Sequence, residues 1–281
     1  MPGKLYLCAT PIGNLSDISE RLTETLKSVD LIAAEDTRHT QKLLNHLNIS
    51  KPMVSYFEHN RREKGEMLIS ELLSGKNIAL VSDAGTPAIS DPGEDLVALC
   101  AENGVDTVPV PGPVAAICAL IVSAISTGRF CFEGFLPMNR KGREERLLEI
   151  KNQKQTLIFY EAPHKLKNTL ADLLKFLGDR KISLVREITK IHEEVLRFSI
   201  SDAIKYYEEN IPRGEYVLVV EGAADTEDAP RDIDIYEEFN RLKKGGMREM
   251  DAMKQIALVC GVSKREIYAQ IKGKKGEDKN E

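Results

Sequence analysis

Ile78-Ala-Leu-Val-Ser-Asp-Ala-Gly-Thr-Pro-Ala-Ile-Ser-Asp-Pro-Gly93 is a short apolar run that breaks into a loop dense in glycine, proline and small polar residues. Four apolar residues bounded by such a loop read as a buried strand and its exit turn. Similar runs stand on either side, at 5–9, 31–34, 53–56 and 105–110. Amphipathic stretches separate them, among them 18–28 and 37–47, where Leu43, Leu44 and Leu47 share one stripe with Thr40. Strands that are apolar throughout and alternate with helices predict an α/β fold whose parallel sheet is covered on both faces.

A second α/β block begins near Ala115. It reads as a helix over 115–126, strands at 130–132, 156–160, 182–185 and 216–220, and helices at 141–151, 164–176 and 202–209. After Gly222 the polar stretch 223–230 has the composition of a linker. Helical patterns follow at 235–242, 247–259 and 264–272, with Gly261 placed to end one helix and Ser263 to cap the next. So short a turn suggests a helix-turn-helix, the other reading being a helical hairpin that only packs on its neighbour. The expected organisation is 1–114, 115–224 and a C-terminal helical segment over 230–281.

The 281 residues are 42% hydrophobic and 30% charged, the balance of a folded protein rather than a disordered or membrane one. The first residues show no cationic, apolar and small-residue sequence of an export signal, which predicts a cytoplasmic setting. Cys8, Cys100, Cys118, Cys131 and Cys260 are odd in number and scattered, so they offer no disulfide framework or CxxC pair and read as small core residues. His59, His164 and His192 are isolated along the chain, and no metal site is expected. A net charge of −5 argues against bulk attraction to nucleic acid. Local patches remain, at Arg61-Arg62-Glu63-Lys64, at Arg140-Lys141-Gly142-Arg143 with Arg146, and at 241–244 with Arg248, Lys264, Arg265 and 272–275.

Four loops follow strands where an open α/β sheet binds ligands: 10–17, 82–93, 111–113 and 160–164. Gly13, Gly85 and Gly112 permit close backbone approach, and Asp83, one residue past a strand, is placed to accept hydrogen bonds from ligand hydroxyls. No GxGxxG follows the first strand and no GxxxxGK[ST] occurs, so ordinary dinucleotide and P-loop chemistry is disfavoured.

Several runs carry a resemblance to a known family: Ala9-Thr-Pro-Ile-Gly-Asn-Leu15, Ala34-Glu-Asp-Thr-Arg-His-Thr40, Glu58-His-Asn60, 81–93, Pro111-Gly-Pro113, Phe132-Glu-Gly-Phe-Leu-Pro137, Phe159-Tyr-Glu161, Arg186-Glu-Ile-Thr-Lys190 and Gly214-Glu215. The chain resembles the tetrapyrrole-methylase superfamily and, within it, the branch that methylates small-subunit ribosomal RNA. The resemblance implies a homodimer of two-domain subunits with S-adenosylmethionine folded into the cleft between domains. It places Pro11, Ile12, Gly13, Ser82, Asp83, Gly85, Thr86, Pro87, Val114, Ala115, Tyr160 and Glu161 at the cofactor. It further implies 2′-O-methylation of a cytidine ribose in 16S ribosomal RNA; the acidic composition, for its part, favours RNA presented in an assembled subunit, read by shape and local contacts. Val114, Ala162, Lys165 and Phe57 depart from the family pattern, and Val114 has no hydroxyl to offer the methionine moiety.

Methyl transfer to a ribose hydroxyl needs alignment, exclusion of water, a base for the hydroxyl proton and a cation for developing oxyanion charge. Asp36 or Glu187 is the expected base, with Arg38 and Lys190 holding phosphate or oxyanion charge. Interdomain ion pairing, with Thr37 capping a helix, is the competing reading. Other substrates on the same fold would be a tetrapyrrole or a protein side chain, and a non-catalytic ribosome assembly factor is the alternative of another class.

Overall fold

The computed structural model describes residues 1–224, 234–260, 267–268 and 270–271. Gly261, Ser263, Lys264, Arg265 and the basic stretch 272–275 lie outside the described residues, as does linker segment 225–230.

The first sheet is built from β1 (Leu5–Cys8), β2 (Leu31–Ala34), β3 (Met53–Ser55), β4 (Ile78–Val81) and β5 (Thr107–Val110). Its order is β3-β2-β4-β1-β5, with every pairing parallel. The crossovers are α1 (Glu20–Ser28), α2 (Thr37–His46), α3 (Arg61–Leu73) and α4 (Gly93–Glu102). Ser19 starts α1 by accepting the Leu22 N–H at 3.1 Å, and Asp36 starts α2 in the same manner through Arg38 N–H at 2.8 Å. Separate apolar clusters form around Leu68, Leu72 and Leu96 and around Leu22, Leu26 and Leu44, so all four residues of β4 are buried. That explains its unbroken apolar run. Cys8 and Cys100 are buried, and burial pushes their thiols up to about 12 and about 11, which leaves them inert core residues.

The second sheet consists of β6 (Phe130–Gly134), β7 (Thr156–Glu161), β8 (Lys181–Arg186), β9 (Glu194–Ser199) and β10 (Tyr216–Val220), in the order β6-β7-β10-β8-β9. Only β6 and β7 run parallel; the remaining pairs are antiparallel. The strand β9 is absent from the sequence expectation. It is an edge strand, partly exposed along its length, and its sequence Glu-Val-Leu-Arg-Phe-Ser lacks the apolar continuity of a central strand. Helices α5 (Ala115–Val122), α6 (Arg140–Ile150), α7 (Leu166–Leu177) and α8 (Ile200–Glu209) accompany the sheet. The predicted helix over 115–126 therefore stops early, at a Ser123 whose hydroxyl turns back onto Leu120 O and accepts the Ile125 N–H. Residues 1–223 form one compact unit containing both sheets.

The unit from 224 onward holds α9 (Ile235–Lys244), capped by Asp234, and α10 (Glu249–Cys260). Phe239, Met253 and Ile256 pack with Ile267 and Ile271 into a small core. No described helix is long and apolar enough to cross a membrane.

Candidate functional site

The loops after β1 and β4 are stitched together at the carboxyl end of the first sheet. Thr10 N–H donates to Gly85 O at 2.9 Å, and Gly85 N–H donates to Thr10 O at 3.1 Å. Thr86 Oγ1 donates to Pro113 O at 3.3 Å, drawing in the loop after β5. Gly112 passes so close to Ala9 that a Cβ there would lie 2.8 Å from the Ala9 Cβ, which explains the glycine between two prolines.

Above these loops lies a cavity of about 650 Å³, within the roughly 300–1,000 Å³ of small-molecule sites. Among the residues expected at a cofactor, Ile12, Ser82, Asp83, Gly85, Thr86, Val114, Ala115, Tyr160 and Glu161 line it. Pro11, Gly13 and Pro87 do not. Gly13, at φ +148°, leaves room for another side chain rather than a ligand: a Cβ there would sit 2.3 Å from Lys190 Cγ. Pro11 instead faces a smaller cleft beside His39 and Lys42.

One wall comes from the second sheet. Tyr160 Oη accepts the Ala116 N–H at 3.3 Å, and its ring meets Phe132 and Phe135 edge-on at 5.0 and 5.6 Å. Burial pushes its phenol up. Glu161 is buried and accepts from Thr169 Oγ1 and from its neighbour Ala162 N–H, so its carboxylate is satisfied internally. Val114, without a side-chain cap, leaves the positive end of α5 facing the cavity.

The four expected catalytic residues separate into two pairs. Glu187 and Lys190 line the cavity; Asp36 and Arg38 do not. Asp36 is committed elsewhere, since its Oδ1 accepts the Arg38 N–H and Nε, and its Oδ2 accepts Arg38 Nη2 at 2.6 Å. Those hydrogen bonds from Arg38 hold the Asp36 carboxyl far below the usual range, which makes it a weak base. The cap of α2 is Asp36 itself, not Thr37.

Lys190 Nζ donates to Glu187 Oε1 at 2.8 Å and to Glu215 Oε2 at 2.7 Å, while Glu215 N–H donates to Glu187 Oε1 at 2.9 Å. Burial alone would raise Glu187, but the hydrogen bonds from Lys190 and Glu215 N–H outweigh it and leave the carboxyl lowered. Desolvation likewise opposes the charge on Lys190, and its two carboxylate partners prevail, keeping the amine raised and protonated. The segment is held in left-handed backbone at Glu187 (φ +50°) and Thr189 (φ +67°), and the buried Thr189 Oγ1 has no hydrogen-bond partner. Such a conformation is costly for a β-branched residue and concentrates at functional sites.

Glu35 is the cavity residue that the sequence reading passed over in favour of its neighbour. It is the first residue past β2, and Asp83 is the second past β4, both at the carboxyl ends of strands where parallel sheets present ligand-facing groups. That position is the signal that could have found it. Asp83 N–H donates to Glu35 Oε2 at 3.2 Å, and Asp36 N–H donates to Asp83 Oδ1 at 3.1 Å, locking the two loops. Burial raises the Glu35 carboxyl, and the charges of Asp83, Asp91 and Asp36 add to that rise against the Asp83 N–H.

Among the described residues the basic runs are largely paired. Arg61 meets Asp95 at 2.7 Å, Arg140 meets Glu144, Arg143 meets Asp172, Arg146 holds the buried Glu133 at 2.6 Å, and Arg241 meets Glu238. Among the described residues no group of three or more His, Cys, Asp or Glu is placed to hold a metal ion.

The family model described as Tetrapyrrole (Corrin/Porphyrin) Methylases matches residues 4–204. A protein of Synechocystis sp. named Ribosomal RNA small subunit methyltransferase I is 48% identical over 269 residues, covering 95% of this chain and 96% of its own. A Bacillus subtilis protein of the same name is 46% identical over 271 residues, covering 95% and 93%. Among solved structures, a uroporphyrin-III-C-methyltransferase from Thermus thermophilus superposes with a TM-score of 0.56 at 18% identity, covering 79% of this chain and 95% of its own. A structure of that Thermus enzyme with S-adenyl homocysteine gives 0.56 at 15% identity, covering 77% and 97%. At those identities the likeness speaks for the fold, and the sequence matches speak for the family. The chain belongs to the tetrapyrrole (corrin/porphyrin) methylase family, together with the proteins named ribosomal RNA small subunit methyltransferase I.

Proposed function

We propose that this protein transfers a methyl group from S-adenosylmethionine to the ribose 2′-hydroxyl of a cytidine in small-subunit ribosomal RNA. The observation that carries the reading is one cavity that gathers the Ser82–Thr86 loop, the start of α5 and Tyr160, with Glu35 and Lys190 also in its lining. Relatives at 46–48% identity bear the name of a small-subunit ribosomal RNA methyltransferase, which supports RNA over a tetrapyrrole or a protein side chain.

The cavity fits the donor in size and in chemistry. Apolar Ile12, Val114 and Ala115 suit an adenine, Asp83 suits ribose hydroxyls, and the α5 N-terminus suits a carboxylate. The donor supplies an electrophilic methyl group and its own leaving group. What remains for the protein is to align the ribose oxygen, exclude water and manage one proton. Glu35, with its raised carboxyl and one oxygen engaged by Asp83 N–H, takes the hydroxyl proton. Lys190, fixed by Glu187 and Glu215, stays charged and steadies the developing oxyanion. Asp36 and Arg38 hold the rim through the Asp36 N–H to Asp83 contact.

In this reading residues 1–114 and 115–224 are the two domains, and 230–281 is an accessory helical segment. The enzyme works as a homodimer, for which the uncovered Ile117, Ile121 and Val122 on α5 supply an apolar face. A net charge of −5 favours an assembled subunit, recognised by shape, over bare RNA.

The test is transfer of labelled methyl to purified small subunits that lack the modification, followed by alkaline hydrolysis. Label in an alkali-resistant dinucleotide is the expected result. RNA without label, from protein that binds the donor, would assign the enzyme to a tetrapyrrole or protein substrate.

A further inference from the structure

A second cleft, of about 390 Å³, opens beside the cavity, and Tyr216 lines both. Tyr216 opens β10 between Glu161, the last residue of β7, and Arg186, the last of β8; its side chain packs with Phe159 and Leu218 on one face of the sheet while Val217 lines the cavity from the other, so the two clefts meet around the end of the sheet. At about 4.8 Å per strand, Arg186 stands about 10 Å across the sheet from the cavity wall at Glu161. A nucleotide next to the one being modified reaches that far.

Of the polar groups that line the cleft, Arg213 is the exposed charged donor, whereas Tyr216 is only 2% exposed and Arg186 Nε is buried beside Glu194. Tyr216 Oη accepts from Tyr207 Oη at 3.3 Å and from Arg213 N–H at 3.2 Å, so its lone pairs are engaged, and no described residue takes its own proton. Arg186 Nε is buried without a hydrogen bond and lies 3.4 Å from Glu194 Oε2. Arg213 is exposed at the cleft and, unlike Arg61, Arg140, Arg143 and Arg146, its guanidinium has no carboxylate partner among the described residues.

Glu194 and Glu209 also line the cleft, so its formal charge is balanced. A free anion gains little from such a site. A phosphate that is already tethered, because its strand is docked at the neighbouring cavity, arrives at high effective concentration and needs only oriented donors.

We propose that the cleft of Arg186, Arg213 and Tyr216 is an RNA-backbone subsite that holds a phosphodiester flanking the target nucleotide. This rests on RNA being the substrate. It also accounts for how an acidic chain whose described basic runs are largely paired with carboxylates engages a polyanion.

Arg213→Ala is the variant, assayed by methyl transfer to unmodified small subunits across a salt series, with S-adenosylhomocysteine binding as the measure of an intact cavity. The expected result is a KM for subunits raised about tenfold, the lower end for a charge-assisted hydrogen bond, with kcat nearly unchanged. The dependence of log(kcat/KM) on log salt should lose about 0.7 in slope, the release of one counterion from a single strand. Arg213→Lys should recover the slope. An unchanged KM overturns the subsite. A raised KM with an unchanged slope also overturns it, by assigning the contact to a base. If the wild-type protein labels no RNA, the substrate reading fails and the subsite falls with it.

Discussion

Two short segments of this chain look alike on paper: Asp36-Thr-Arg38 and Glu187-Ile-Thr-Lys190 each set a carboxylate two or three residues before a cation. Each forms an ion pair within itself, at 2.6 Å and 2.8 Å. Their surroundings differ. The Arg38 side chain is 88% exposed and the pair closes on itself at the start of α2, whereas the Lys190 side chain is 30% exposed, covers Gly13 and is shared with Glu215 at the cavity. An exposed pair contributes little and is screened by salt, while a half-buried cation held by two carboxylates keeps its charge in a fixed place. The comparison teaches that the spacing of charged residues proposes chemistry, and desolvation decides which pair can perform it.

The sharpest way to break the comparison lies beside the first pair. Glu35→Gln should lower kcat for methyl transfer by about 10²-fold or more, the usual contribution of a general base, with donor binding retained. Since the working form is the carboxylate, wild-type kcat should rise with pH through a Glu35 pKa above the ordinary glutamate value, and the variant should lack that limb. The stability sign is opposite. A raised folded-state pKa gives a contribution that is present below the unfolded glutamate pKa and lost as pH rises through the folded one. Tm of the wild type relative to Glu35→Gln should therefore fall between acid and neutral pH. A kcat that survives the change would return the role of base to Glu187.

Lys190→Met keeps the stem over Gly13 and removes the charge. A loss of about 10²-fold in kcat is expected, in the range seen on deleting one oxyanion donor. Equal KM for subunits would separate this from weakened RNA binding, and a loss confined to KM would make Lys190 a phosphate contact.

The smallest effect is expected at Asp36→Ala. It removes a helix cap and an exposed ion pair, so Tm should fall by a few degrees and kcat should stay within about threefold of wild type. A collapse of kcat with the donor still bound would show that the Asp36 carboxylate reaches the substrate after all.

Much of the site is legible in the chain itself. The loops at 82–93 and 111–113 announce themselves because tight turns and close backbone contacts admit only particular residues: Gly112 against Ala9, and Gly85 at φ +82° paired with Thr10. Glu35 was harder to read, because nothing in its neighbourhood distinguishes it from Asp36 until the strand end is placed. Tyr216 and Arg213 gave no signal, since their relation to the cavity depends on β10 lying between β7 and β8.

The sequence by itself determined the alternation of strand and helix, the parallel first sheet and the ligand-bearing loops, because apolar periodicity and backbone sterics act over a few residues. Only the tertiary structure decided the mixed, mostly antiparallel pairing of the second sheet, the edge strand β9, and which carboxylates face the cavity. Those depend on contacts between segments far apart in the chain, such as Lys190 over Gly13 and Glu35 against Asp83, and local pattern carries no record of them.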